Sequence, residues 1–310
     1  MIGKRYAVLF KAFTNDAFVK RRLAHVVKAA PSGDVYLMID ETNQPGGAID
    51  FDRVIRYREA DLVRIGFPHI SEGALFWYNA DYPLYYFRHL HPEYDTIVTV
   101  EYDAVPNVDI DDLVQQFRAE DLDLVGRTIT NKTPDNYWWT HTMLHFYSTD
   151  QVRPYQICAT ITSARAVDHL GATRKRHAAT GITDPRHWPI GETFVGTELF
   201  AAGFKTRELA DFGKLTRYDW WPPIHERELK RCADEVFVHP VLSGRRYVKS
   251  LFKSNFRSGV IVSAKLAIAA IARMVQRPTP AVAAEEVSAF DELAGDPEGK
   301  SLVKGGSASS

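Results

Sequence analysis

Residues Tyr94–Ile110, YDTIVTVEYDAVPNVDI, decide the fold that we predict for this chain. The apolar and β-branched run at residues 97–100, IVTV, is typical of a buried strand in a parallel sheet. The run ends in Glu101-Tyr102-Asp103, and alternation along a strand places the two carboxylates on one side. Because α/β proteins bind ligands at the carboxyl ends of parallel strands, this stretch predicts a ligand site at the edge of a sheet.

Two carboxylates at the end of a buried strand are costly unless a cation meets them. Hard divalent cations bind carboxylate and phosphate oxygens together, so a divalent cation carrying a diphosphate is the natural partner of Glu101 and Asp103. The alternative is a solvated strand end, in which Asp103 only begins the turn through Pro106-Asn107. The residues on either side of this stretch favour the ligand site.

Composition excludes several classes of protein. The chain has 310 residues, of which 45% are hydrophobic and 25% are charged, as in ordinary soluble globular proteins. A formal net charge of -1 gives no overall field that would select nucleic acid. Two cysteines imply no disulfide framework, so we expect a reducing, cytoplasmic compartment. We also expect neither a signal peptide nor a spanning helix, which would leave only peripheral contact with a membrane.

Strand and helix patterns alternate along the first 243 residues. Strands are predicted at residues 6–13, 35–39, 53–57, 95–100, 123–125, 157–161, 208–212 and 235–238. Helices are predicted at residues 15–30, 77–90, 109–119, 164–170 and 193–202, with a polar loop at 174–188. This order predicts an α/β, Rossmann-like fold with a mixed, mainly parallel sheet flanked by helices.

The chain changes character after residue 243. Five basic residues without an acidic one among them precede an Ala/Ile-rich helix pattern at residues 260–276: Arg245, Arg246, Lys249, Lys253 and Arg257. A basic helix of this kind is typical of one that lies on an anionic membrane surface, and the alternative is a helix packed against the preceding domain. We expect a domain over residues 1–243, a basic segment and amphipathic helix over 244–277, and a disordered tail over 278–310.

Three further places carry candidate chemistry. Glu192 lies in PIGETFVGTELFAAGF, residues 189–204, at the mouth of a predicted helix. A carboxylate there suits a general base that deprotonates a hydroxyl, although a simple helix-terminal charge is the alternative. His239 follows the apolar run VFV and can add a nitrogen ligand to a cation that carboxylates already hold; the alternative is an ordinary core or surface histidine. Loops after the first two strands, Ala12–Thr14 and Asp40-Glu41, would face the same sheet edge, where Asp40 could hold a ribose or a base or only begin a turn.

These pieces together resemble the GT-A fold of nucleotide-sugar-dependent glycosyltransferases. The matching segments are TIVTVEYDAVP (96–106), the Glu192 segment before a helix ending at Gly203, and VFVHPV (236–241). The resemblance implies that Glu101-Tyr102-Asp103 takes the place of the family's D-x-D motif. Asp103, Glu101 and His239 would then hold Mn²⁺ or Mg²⁺ on the donor diphosphate, with Glu192 as the base of an inverting transfer. The implied nucleotide-binding residues are Ala12, Phe13, Thr14, Asp40, Glu41 and Tyr102.

The chain departs from the family's pattern in having Glu for the first Asp. This departure leaves open a metal-independent mode, in which basic side chains hold the diphosphate; the candidates are Arg21, Arg22, Arg245 and Arg246. The aromatic segment 131–147 follows the acidic strand, where such enzymes place acceptor-binding elements. Trp138, Trp139 and His141 are therefore the candidate acceptor-binding residues, and core packing is the alternative for the two tryptophans.

The resemblance implies a hexosyl- or N-acetylhexosaminyl-transferase. Its donor would be a nucleotide-diphosphate sugar and its acceptor a glycan or lipid-linked glycan, in bacterial-type polysaccharide or glycolipid assembly. Such an enzyme would be cytoplasmic or peripheral on the inner face of the membrane. Two other classes stay open. A nucleotidyltransferase normally has a Gly-rich basic loop after its first strand, where this chain has Lys11-Ala12-Phe13-Thr14, and a non-catalytic glycan-binding protein would use the aromatic segment.

Overall fold

A seven-stranded mixed sheet forms the centre of the fold. The computed structural model describes residues 5–68, 75–129 and 137–258, apart from the side chains of Trp138 and of residues 252–258. The sheet strands are β1 (Ala7–Ala12), β2 (Asp34–Asp40), β3 (Val54–Tyr57), β4 (Thr96–Glu101), β5 (Leu124–Thr128), β6 (Tyr155–Ser163) and β7 (Thr206–Glu208). Their spatial order is β3-β2-β1-β4-β6-β5-β7, and only β6 runs antiparallel to its neighbours, β4 and β5. The predicted fold class, a mixed and mainly parallel sheet flanked by helices, is confirmed.

Helices pack on both faces of the sheet. They are α1 (Ala17–Ala29), α2 (Glu59–Arg64), α3 (Leu75–Tyr78), α4 (Tyr82–Leu90), α5 (Ile110–Ala119), α6 (Ala164–Ala178), α7 (Gly191–Ala201) and α8 (Gly244–Ser258). Alternate residues of β1 serve the two faces: Leu9 packs in the core under α4, α6 and α7, whereas Val8 packs in the core under α1 and α5. In the part of the chain that is described, no helix is long and apolar enough to cross a membrane.

Local sequence signals set several helix ends. The Asp16 side chain caps α1 by accepting a hydrogen bond from the Val19 N–H at 3.1 Å, and Asp109 caps α5 in the same way. Pro83 lies at the second position of α4, where its missing N–H leaves no helical hydrogen bond unmade. The helix predicted at residues 77–90 is therefore two helices, α3 and α4. Gly203, with φ of +74°, follows the end of α7 as predicted.

The predicted loop at residues 174–188 is wrong at its beginning, because α6 continues to Ala178. The strand predicted at 208–212 is also wrong in extent: β7 ends at Glu208 and a 3₁₀ turn covers Leu209–Phe212. The basic segment after residue 243 is itself helical, as α8. The helix predicted at 260–276 and the tail at 278–310 lie outside the described residues, so those two expectations stay predictions.

A short strand pair outside the main sheet brings the late segment to the end of β4. Val105–Pro106 pairs antiparallel with Phe237–Val238, and Val238 lies opposite Val105. The Val241 N–H then donates to the Asp103 carbonyl oxygen at 2.8 Å. The chain just after Val238 is thereby held against the turn that follows β4.

A buried ion pair joins α4, α6 and the segment that enters α7. The Arg174 side chain is fully buried, and its Nε and Nη2 atoms donate to the two carboxylate oxygens of Asp81 at 2.9 and 3.0 Å. Its Nη1 atom donates to the Pro189 carbonyl at 2.6 Å. The guanidinium also lies 3.9 Å from the ring centroid of Phe194 on α7. Arg174 is therefore a core residue, although it lies in a polar stretch of sequence, and it ties the last turns of α6 to the rest of the domain.

Replacing Asp81 with Asn should lower the free energy of unfolding by about 3–5 kcal/mol, because Arg174 would then be buried without a counter-ion. Urea denaturation followed by circular dichroism measures this change. The matched control is Asp184→Asn, which removes the exposed partner of Arg186 and should leave the urea midpoint unchanged. Equal midpoints for the two variants would contradict the structural role given to the Asp81–Arg174 pair.

Candidate active site

A buried lysine lies beside the first acidic residue of the site. The parallel register of β1 and β4 pairs Lys11 with Glu101. Only 2% of Lys11 is exposed, and its Nζ atom donates to Glu101 Oε1 at 3.1 Å and to the Ala80 carbonyl at 2.9 Å. An ammonium group this deep needs a negative partner, so the Glu101 carboxylate is both a site residue and a structural counter-ion.

Asp103 lies in the turn that follows β4 rather than on the strand. The Ala104 N–H donates to the Glu101 carbonyl at 2.9 Å and closes this turn. Among the described residues, the buried Oδ1 atom of Asp103 has no hydrogen-bond partner, and it lies 3.7 Å from Nε2 of His239. Burial raises the pKa of Asp103 to about 6, against the opposing effect of the His239 ring. An orphaned carboxylate oxygen in such a place suits a cation.

His239 is oriented by its second ring nitrogen. Its Nδ1 atom lies 2.8 Å from the carbonyl oxygen of Asp219, so we assign the proton to Nδ1 as the donor. The Nε2 atom of the Gln156 amide lies further away, 3.3 Å from the same ring nitrogen. Nε2 then faces Asp103 with its lone pair, which is the arrangement found for histidines that bind metal ions. The structure thus brings together Asp103, Glu101 and His239, the three predicted metal ligands.

Glu192 lies in the first turn of α7, held by two aromatic donors. Trp220 Nε1 donates to its Oε1 at 3.2 Å, and the Tyr137 hydroxyl donates to its Oε2 at 3.2 Å. The two rings stack on each other, with centroids 6.3 Å apart and planes 16° apart. Burial raises the pKa of Glu192 to about 7, while both hydrogen bonds oppose the rise. A carboxylate with this pKa is suited to take a proton near neutral pH.

These groups share one cavity of about 910 Å³, which is large enough for a nucleotide-sized ligand. The acidic groups, Glu192, several aromatic rings and two basic residues of α8 all contribute to its wall. The lining residues are Phe13, Phe76, Trp77, Ala80, Glu101, Tyr102, Asp103, Tyr137, Trp139, Ile157, Cys158, Glu192, Trp220, His239, Pro240, Leu242, Arg246, Lys249 and Ser250. Glu192 therefore lines the same cavity as the three candidate metal ligands, Glu101, Asp103 and His239.

The candidate nucleotide-binding residues divide into two groups. Phe13 and Tyr102 line the cavity with rings edge to face at 5.2 Å, and Thr14 accepts a hydrogen bond from Arg246 at 2.9 Å nearby. Ala12 is buried as the last residue of β1. Asp40 and Glu41 are not in the lining: Asp40 accepts from the Thr42 N–H at 2.8 Å and Glu41 from the Gly46 N–H at 2.9 Å. These two carboxylates organise the loop after β2.

The candidate acceptor residues are also divided. Trp139 lines the cavity and packs edge to face on Trp77, whose side chain is 54% exposed, with ring centroids 4.9 Å apart. His141 lies on the same 3₁₀ segment, Trp138–Thr142, but not in the lining. The side chain of Trp138 and residues 131–136 lie outside the described part. Trp77, which the sequence placed in a helix pattern, thus joins Trp139 as a ring that can face a ligand.

The candidate arginines of a metal-independent mode are separated. Arg21 and Arg22 both donate to the carboxylate of Glu226, at 2.7 and 2.8 Å, and neither lines the cavity. Arg246 does line it, where Lys249, one turn further along α8, joins it. Arg246 is also ion-paired with Asp16 at 2.7 Å. Arg245 is exposed and lies outside the lining.

Sequence reasoning did not single out Lys11, Cys158 or Trp220 as site residues. Lys11 gave one signal, since a lysine inside an otherwise apolar strand pattern needs a buried partner. Cys158 enters the site through the antiparallel register of β6, and Trp220 through a segment with no regular pattern. For those two residues the signal lies in tertiary pairing, which local periodicity does not carry.

The fold and the site define the class of protein. It is an α/β protein with an acidic pocket at the carboxyl ends of its parallel strands, and the pocket wall contains a carboxyl group, Glu192, with a pKa of about 7. No protein-family model matches the sequence, and no curated protein matches it. Among solved structures, mouse xyloside xylosyltransferase 1 in its apo form is similar at 12% identity and a TM-score of 0.41, over 76% of this chain and 97% of that one. An active-site mutant of LgtC is similar at 12% identity and 0.37, over 73% and 78%.

A third similar structure is a glycosyltransferase involved in the glycosylation of the major capsid of PBCV-1, at 8% identity and a TM-score of 0.37, over 76% of this chain and 92% of that one.

Replacing Trp220 with Phe should raise the pKa of Glu192 above its value of about 7, because the change removes an N–H donor from the carboxylate. A pH titration of the carboxyl C=O band by infrared difference spectroscopy, assigned with Glu192→Gln, measures this shift. Trp221→Phe is the matched control, since Trp221 is 44% exposed and its neighbour makes the hydrogen bond. An unchanged midpoint in Trp220→Phe would show that this donor does not set the pKa.

Proposed function

We propose that this chain is a glycosyltransferase that moves a sugar from a nucleotide-diphosphate donor to a hydroxyl of a glycan. One observation carries the proposal. Glu101, Asp103 and His239 converge at the wall of a cavity that also holds Glu192, a carboxylate with a pKa of about 7. Charge-binding groups and a proton acceptor in one space are what transfer with a diphosphate leaving group requires.

The residues at the end of β4 fit a hard divalent cation. Asp103 offers a buried oxygen without a hydrogen-bond partner in the described part of the chain, and the His239 Nε2 lone pair is aimed at it by the Asp219 carbonyl. Asp103, Glu101 and His239 would hold Mn²⁺ or Mg²⁺, which when bound would offset the charge of the leaving diphosphate. Arg246 and Lys249 on the same cavity would donate to phosphate oxygens.

Glu192 is the proposed base. It takes the proton of the acceptor hydroxyl while that oxygen forms a bond to the anomeric carbon of the sugar. The bond from that carbon to the diphosphate oxygen breaks, so the nucleoside diphosphate leaves and a single displacement inverts the anomeric centre. Trp220 and Tyr137 hold one carboxylate oxygen each, which fixes the direction from which Glu192 meets the acceptor.

The finer parts of the proposal concern substrate and place. The transferred sugar is a hexose or N-acetylhexosamine, and the acceptor is a glycan or lipid-linked glycan in bacterial-type polysaccharide or glycolipid assembly. Trp139 and Trp77 offer aromatic faces on the cavity for a sugar ring. We place the protein in the cytoplasm or on the inner face of the membrane, with the basic helix α8 as the membrane-facing element.

The donor site is tested by thermal shift with UDP, GDP, ADP and CDP, each with Mn²⁺ and with EDTA. One diphosphate should stabilise the protein only with metal, by about 2.7 kcal/mol at a concentration 100-fold above its Kd. Asp103→Asn should lose the metal-dependent part, whereas Asp112→Asn, which changes a carboxylate of α5 away from the cavity, should keep it. Stabilisation that survives EDTA would move the diphosphate to Arg246 and Lys249. No stabilisation with any nucleotide would contradict the proposal and favour a glycan-binding protein.

The base is tested by Glu192→Gln, which should lower kcat by about 10²–10⁴-fold while leaving nucleotide stabilisation intact. In the wild type, kcat/KM should rise with pH through about 7, since Glu192 must lose its proton before it can act. Glu93→Gln, a change to an exposed carboxylate, is the control. Full activity of folded Glu192→Gln protein would remove the residue from the mechanism.

A further inference from the structure

A thiol lies among the metal-type ligands of the cavity. Ligand atoms of Glu101, Cys158 and His239 all lie within 4.8 Å of one another. The antiparallel register of β4 and β6 pairs Val100 with Ala159, so the next pair along places Cys158 beside Glu101. His239 reaches the same point from the segment after Phe237–Val238. Two neighbouring strands and the segment after Phe237–Val238 therefore bring an oxygen, a sulfur and a nitrogen to one place.

This ligand set differs in chemistry from a set made of carboxylates alone. Thiolate is a soft ligand that favours Zn²⁺ over Mg²⁺ or Mn²⁺, and imidazole and carboxylate also bind Zn²⁺, so three protein ligands would leave one position of a tetrahedral site open. Bonds of 2.0–2.3 Å place tetrahedral ligands roughly 3.3–3.8 Å apart. The three atoms already lie within 4.8 Å, so side-chain shifts of about 1 Å close the set.

The surroundings of Cys158 suit a ligand more than a reactive surface thiol. The residue is 5% exposed and free of any disulfide, yet it lines the cavity. Burial and the neighbouring carboxylates of Glu101, Glu192 and Asp103 raise the pKa of the Cys158 thiol, and Lys11 opposes the rise, so without a bound ion the sulfur is a neutral thiol. Asp103 Oδ1 lies 3.7 Å from Nε2 of His239, the nitrogen of this set.

We propose that Glu101, Cys158 and His239 form a site for Zn²⁺ and other thiophilic divalent ions, with Cys158 as a direct ligand. The thiol proton is released to solvent as the sulfur binds the ion, so no oxidant or reductant is needed. Since Glu101 and His239 also belong to the Mn²⁺ or Mg²⁺ site of the proposed function, Zn²⁺ competes with that ion and blocks transfer. Only this competition rests on the proposed function; zinc binding does not.

The test uses Co²⁺ as a spectroscopic substitute for Zn²⁺ in the full chain. The wild type should show a sulfur-to-cobalt charge-transfer band in the near ultraviolet, and added Zn²⁺ should remove it. Cys158→Ser and Cys158→Ala should lack the band and bind Zn²⁺ at least about 10-fold more weakly, the lower end of the loss seen even for outer-shell partners. Cys232→Ser, which changes the other buried free cysteine, should keep both the band and the affinity.

The outcomes separate the two proposals. Identical cobalt spectra in the wild type and in folded Cys158 variants would overturn the zinc site, even if a nucleoside diphosphate with Mn²⁺ stabilises the protein. A thiolate band that only the Cys158 variants lose would support the zinc site, even if every nucleotide fails and the glycosyltransferase proposal falls. Loss of the band in Cys232→Ser alone would also overturn the assignment.

Discussion

The pairing of buried Lys11 with Glu101 across β1 and β4 is the interaction on which the site depends. The Lys11 side chain is 2% exposed, and its ammonium group is tolerated there because a carboxylate and a carbonyl oxygen accept hydrogen bonds from it. That carbonyl belongs to Ala80, and the next residue, Asp81, binds Arg174, which in turn donates to the Pro189 carbonyl just before α7. One run of buried charges thus connects the end of β4 to the helix that carries Glu192.

Close packing makes this connection rigid. A Cβ atom built on Gly191, the residue before Glu192, would lie 2.7 Å from Oδ1 of Asp81, so the helix begins against the ion pair. On the other side of the cavity, the pairing of Val105–Pro106 with Phe237–Val238 fixes His239 beside the turn at Asp103. The proposed base and the proposed cation ligands are therefore positioned by different parts of the chain but by the same buried scaffold.

Features that depend on nearby residues were predictable from the sequence. The apolar run before Glu101 defined the central strand, and the helices predicted at residues 15–30 and 109–119 are present, capped by Asp16 and Asp109. The convergence of Asp103 with His239 followed from their positions at strand ends, although their roles stay predictions. Contacts between residues far apart in the sequence were not predictable from it. Arg174 belonged to a polar stretch predicted as a loop, yet its counter-ion 93 residues away makes it a core residue. Cys158 enters the site only through the antiparallel register of β6.

Glu101 and Asp103, the two acidic residues at the end of β4, have different environments. Glu101 is the last residue of β4, directly opposite Lys11, so its carboxylate is already matched by a positive charge. Asp103 lies beyond the strand, where one of its oxygens has no hydrogen-bond partner among the described residues and burial raises its pKa to about 6. The two acidic residues are therefore not equivalent: Glu101 neutralises the buried Lys11, whereas Asp103 carries the buried oxygen that we propose binds a cation. In the proposed site Glu101 would be shared between Lys11 and the ion, so the nitrogen of His239 and the sulfur of Cys158 would decide which ion is preferred.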